Sequence, residues 1–60
     1  MNITDRDGLW KLKDNTIENR KTKEIKILKN PPNANTIAYM NYRAFLQNCR
    51  IAFETGVWPK

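Results

Sequence analysis

The chain has 60 residues, 40% of them hydrophobic, with 11 Lys and Arg against 6 Asp and Glu, a formal charge of +5. A chain this short makes one small domain at most and buries only about 60% of its unfolded surface. One Cys and no His exclude an internal disulfide and remove the commonest zinc ligand.

The basic balance, with a pI near 9.7, favours acidic partners: nucleic acid, an acidic protein or an anionic membrane surface. No apolar run approaches the ~18 residues of a bilayer span, and the opening MNITDRDG lacks the apolar core of a signal peptide. The lone thiol fits a reducing compartment. A cytoplasmic, intracellular protein is expected.

Taken in order, Asp5-Arg6-Asp7-Gly8 is a turn-like cluster in which Gly8 is free to adopt a left-handed conformation. Its Asp-x-Asp-Gly spelling is that of part of a calcium loop. The closing Glu of such a loop would fall at Thr16, so no calcium site is expected. From Leu9 to Asp14, Trp10 and Leu12 alternate with Lys11 and Lys13, the period of a half-buried strand. Asp14-Asn15 supplies turn chemistry, and Thr16 to Arg20 reads as a second strand with Ile17 inward. Arg20-Lys21-Thr22-Lys23 forms a polar hairpin tip. A third strand then places Ile25 and Ile27 inward and Glu24 and Lys26 outward. The competing reading makes 16–29 a helix with Ile17, Lys21, Ile25 and Leu28 on one face. The β-branched alternation favours strand, and Pro31-Pro32 ends the unit either way.

Residues 33–56 read as one long helix. Asn33 is an N-cap candidate, no Gly or Pro intervenes before Gly56, and Gly56 suits the C′ position, with Pro59 preventing a restart. At about 100° per residue, Ala38, Tyr42, Phe45, Leu46, Cys49, Ala52 and Phe53 form a broad apolar arc for covering the sheet. Ile37, Met40, Ala44 and Ile51 form a second apolar stripe beyond a polar strip. The expected fold is α+β, a three-stranded antiparallel β-meander (1–30) followed by one long C-terminal α-helix (33–56) and a short tail (57–60). This β-β-β-α unit would be a single two-layer domain over 1–60.

Catalytic signatures are missing. Without Ser or His, Ser-His and Cys-His arrangements cannot form within the chain. Two distant glycines make no phosphate-cradling loop, and Cys49 on the apolar arc reads as a small core residue. Neither a cofactor, a metal, a small-molecule substrate nor a membrane is expected, and the chain reads as a non-enzyme.

The cations are more informative. Lys11, Lys13 and Lys26 would stand on the solvent face of the sheet, with Arg20, Lys21 and Lys23 at the hairpin tip. Such a surface suits phosphates, and a β-ribbon can enter a major groove. Nucleic acid is therefore the first expected partner, DNA before RNA. Trp10 and Trp58 are considered as platforms for stacked bases, although Trp10 has the spacing of a core residue. In outline the arrangement resembles the DNA-binding domains of some integrases and plant transcription factors, a likeness of architecture from which no residue role is carried over.

The alternative is a protein–protein interaction module, such as a phage-type inhibitor or a small subunit of a larger assembly. It would dock, or self-associate as a dimer, through Ile37, Met40, Ala44 and Ile51 with Trp58.

Overall fold

The computed structural model describes residues 2–59; Met1 and Lys60, the ends of the expected 1–60 domain, lie outside the described residues. Four strands precede two helices: β1 (Asn2–Thr4), β2 (Trp10–Lys13), β3 (Thr16–Asn19), β4 (Glu24–Ile27), α1 (Ala34–Ala38) and α2 (Tyr42–Thr55). The strands form one antiparallel sheet in the order β1-β2-β3-β4. The expected α+β class and antiparallel meander are present. The strand count and the single long helix are corrected.

The fourth strand is β1, where Asn2, Ile3 and Thr4 pair with Lys13, Leu12 and Lys11. Three residues with one apolar position carry no readable alternation. The strand is held by its pairing and by the loop that follows it. In that loop Asp5 is buried, its Oδ1 accepts from Leu9 N at 2.7 Å, and Gly8 turns the chain at φ +71°.

The two-residue connection after β2 carries Asp14 at φ +52°, a conformation Asp tolerates better than most side chains. After β3 the carboxamide of Asn19 accepts from Lys21 N at 3.0 Å and Thr22 N at 3.3 Å. Lys23 N donates to Asn19 O at 2.7 Å, with Lys23 at φ +68°. This four-residue loop pairs Asn19 with Glu24, and hence Ile17 with Lys26 and Glu18 with Ile25.

That register inverts the expected faces of β4. Cross-strand partners share a face of the sheet, so Ile3, Leu12, Ile17 and Lys26 form one row. With Trp10, this is the face covered by α2. Lys26 therefore lies on the helix side, its Nζ 4.9 Å from the Phe53 ring centre. Ile25 and Ile27 point away from the helices and are 62% and 70% exposed. Leu28, continuing the inner face beyond β4, takes the core position instead. A one-residue change in pairing exchanges every side chain between faces, and here the loop length sets the pairing.

The helical segment breaks at Asn41. Asn33 caps α1, its side chain accepting from Thr36 N. Asn41 opens a second helix in extended conformation (φ −73°, ψ 158°), its side chain accepting from Ala44 N at 2.8 Å. An Asn side chain that satisfies an orphan N–H competes well with continuing the helix. Gly56 closes α2 at φ +79° as expected. The core between sheet and helix comprises Trp10, Leu12, Ile17, Leu28, Phe45, Cys49, Ala52 and Trp58.

Candidate nucleic-acid interface

The sheet face opposite the helices consists of two rows running across all four strands. Register gives Thr4–Lys11–Glu18–Ile25 and Asn2–Lys13–Thr16–Ile27. None of these eight residues is buried, and a hollow of about 180 Å³ among Lys11, Lys13, Thr16, Glu18 and Ile25 marks the middle of the face. Lys11 and Lys13 thus stand on the open face, as their alternation with Trp10 and Leu12 requires. Lys26 does not. Its place on this surface is taken by Ile25 and Ile27.

The hairpin tip adds charge at one end. Arg20, Lys21 and Lys23 are all exposed, and Arg20 pairs with Leu9, two positions along β2 from Lys11, an offset of roughly 7 Å in the strand direction. The β1–β2 loop lies at the same end, and a Cβ on Gly8 would stand 3.8 Å from Arg20 Nη1. The tip is rigidified by its own hydrogen bonds to Asn19 and by Glu24 N donating to Thr22 Oγ1 at 3.3 Å. Its cations are therefore presented from an ordered loop. The surface reads as an apolar edge, two lysines flanking one Glu, and a cationic tip.

The β1–β2 loop is itself tied to α2. Tyr42 hydroxyl accepts from Arg6 N at 3.1 Å and Asp7 N at 3.4 Å and donates to Asp7 Oδ2 at 3.2 Å. The Arg6 guanidinium lies 3.9 Å from the Tyr42 ring centre, a cation–π contact. Sequence reasoning did not select Arg6, because its neighbours Asp5 and Asp7 mask it in any charge count.

The residues of the expected protein-docking stripe are dispersed. Trp58 is 4% exposed and lies in the core against Phe45, with ring centres 6.3 Å apart; it is corrected from surface anchor to core residue. Ile37 and Met40 pack against the core edge. They belong to α1 and to the break, so they do not share the helical phase of Ala44 and Ile51 on α2. Those two are half-buried, and Ile51 lines an open groove of about 710 Å³ between α2 and the β1–β2 loop. Trp10, at 7% exposure, packs on Phe53 at 5.4 Å between ring centres, so neither Trp offers a face to a base.

Cys49 is fully buried. Burial, and secondarily the negative charge of Asp5, push its thiol up to about 12, far from a nucleophile's range. Among the described residues no three of His, Cys, Asp and Glu gather as a metal site, and no helix is long and apolar enough to cross a membrane. Comparison of the chain with protein-family models, characterised proteins and solved structures finds no match.

Proposed function

We propose that this chain is a small intracellular, non-enzymatic nucleic-acid-binding protein that lays the outer face of its sheet and its β3–β4 tip on duplex DNA. One observation carries the reading: a whole sheet face is left uncovered by the helices, and it presents Lys11 and Lys13 beside Arg20, Lys21 and Lys23. Phosphates would be neutralised by these five cations, each releasing condensed counterions. Ile25 and Ile27 supply apolar contact of the kind that meets thymine methyl groups in a major groove, and Glu18 can accept from a cytosine amino group. A duplex is favoured over a single strand because both tryptophans are buried, which removes the stacking platforms single-strand binders use.

Protein contact through the helix stripe has less support. Trp58 is buried, and Ile37 and Met40 already pack against the core.

The test is a fluorescence-anisotropy titration of labelled duplex at several salt concentrations. If all five cations engage phosphates, log K falls against log salt with a slope of about −4.5. The pair Lys21→Glu and Lys23→Glu lowers both affinity and slope. Absence of binding at low salt would end the reading.

A further inference from the structure

The geometry points to a symmetric dimer formed by antiparallel pairing of β4 with β4 of a second copy, centred on Ile25. This inference stands whether or not the chain binds nucleic acid.

β4 is the last strand of the sheet, and the direction of its backbone groups follows from three hydrogen bonds that extend the ladders. Asp5 N donates to Trp10 O, Arg20 N to Leu9 O, and Leu28 N to Asn15 O. Each bond continues the register of its neighbouring strand pair. Hydrogen-bonded and non-bonded pairs alternate along an antiparallel ladder. Leu28, Lys26 and Glu24 therefore turn their backbone groups toward β3, while Ile25 and Ile27 turn their N–H and C=O outward. Lys29, the next outward position, donates its N–H to Gly56 O at 3.0 Å, so the open stretch is confined to Ile25 and Ile27.

The side chains select a second copy as the occupant. A two-fold axis normal to the sheet must pair residues of the same face, which leaves two central registers. With Ile25 opposite Ile25 of the second copy, Glu24 stands opposite Lys26 twice, both on the helix side of the sheet. Opposite charges at directly paired positions are favourable. In the other register, Ile25 opposite Ile27, Lys26 would face Lys26, and like charges oppose it. The strand is thus self-complementary in one register and self-repelling in the next. Edges of natural sheets are usually blunted by proline, bulges or unpaired charge. β4 has no proline, and its one cation has its complement two residues away. In this register the 62% exposed Ile25 meets Ile25 of the second copy on the outer face, with the 70% exposed Ile27 diagonal to it and opposite Lys23, across an isologous interface.

Sedimentation velocity on the full chain from tens of micromolar to about one millimolar tests this. The wild type is expected to pass from monomer to dimer over that range. Ile25→Pro removes an N–H that no intramolecular bond uses; it should stay monomeric with its NMR-detected sheet intact. Glu24→Lys and Lys26→Glu should each weaken association by about tenfold, and an equimolar mixture of the two should recover it, because each then meets opposite charges in the other. A wild type that is monomeric throughout, or a Glu24→Lys variant that dimerises like wild type, would overturn the proposal. So would a mixture no tighter than its components.

Discussion

The side chain of Asn30 pairs with the backbone of Trp58 as one strand residue pairs with another. Its Oδ1 accepts from Trp58 N at 2.8 Å and its Nδ2 donates to Trp58 O at 2.9 Å. Twenty-eight residues separate the two. The clamp fixes the chain after α2 over the core, where Trp58 meets Phe45. Asn30→Ala leaves two partly buried backbone groups without this partner and should destabilise the fold by about 1–3 kcal/mol. Asn30→Asp keeps the acceptor for Trp58 N but sets a second carboxylate oxygen against Trp58 O in place of the donor, so at neutral pH it should cost at least as much as Ala. Urea unfolding followed by tryptophan fluorescence measures the order.

Tyr42 holds the β1–β2 loop from the first turn of α2 through three hydrogen bonds to Arg6 and Asp7. Tyr42→Phe removes those bonds and keeps the ring under the Arg6 guanidinium. The expected cost is about 1 kcal/mol, since the groups are exposed and water replaces part of what is lost. Faster amide exchange at Arg6 and Asp7, with little change in the middle of β3, would show that the effect is local.

The raised pKa of Cys49 makes stability fall in alkali. A thiol whose folded pKa lies near 12 against an ordinary 9.0 keeps its proton in the native state after the unfolded state has released it. Between those values the unfolded chain binds fewer protons, so stability declines as pH rises, by up to about 1.4 kcal/mol per pH unit. Below pH 9 the contribution is fully present. The difference in slope between wild type and Cys49→Ala over pH 9–11 isolates it from lysine titration. At pH 8 the native thiol should resist a disulfide-exchange reagent that modifies the urea-unfolded chain at once.

Much of this architecture was legible in the residues, and the errors have identifiable causes. Trp10/Leu12 alternation, the Asp14-Asn15 turn, the polar tip and the Gly56 stop are strong local signals, and each lies where it was expected. Alternation in β4 separates Ile25 and Ile27 from Glu24 and Lys26 correctly. Which pair faces the core is a register question that the Asn19-capped loop decides, and the inward apolar position goes to Leu28. No Gly or Pro marks the helix break at Asn41. Its role as a cap is visible only as competition with a continuing helix, and once the break is placed the second apolar stripe loses its common phase. For the candidate site, Lys11, Lys13 and the tip follow from the pattern. The exposure of Ile25 and Ile27 does not, because two isoleucines in alternation ordinarily mark a core.

The face assignment separates cations that a charge count treats alike. Lys26 lies on the helix side over Phe53, whereas Lys11 lies on the open face. Lys11→Gln should weaken duplex binding at every sequence tested and reduce the salt slope by about 1. Lys26→Gln should leave that slope unchanged. Equal losses from the two would place the binding surface at the sheet edge.

Two-dimensional NMR of the labelled protein with an unlabelled duplex tests the uncovered sheet face most directly. The account requires shift changes at Lys11, Lys13 and the 20–23 tip, and at the methyl groups of Ile25 and Ile27. Ile51, Phe53 and the rest of the α2 surface should stay in place. Changes confined to the helices, or no changes at low salt, would contradict it.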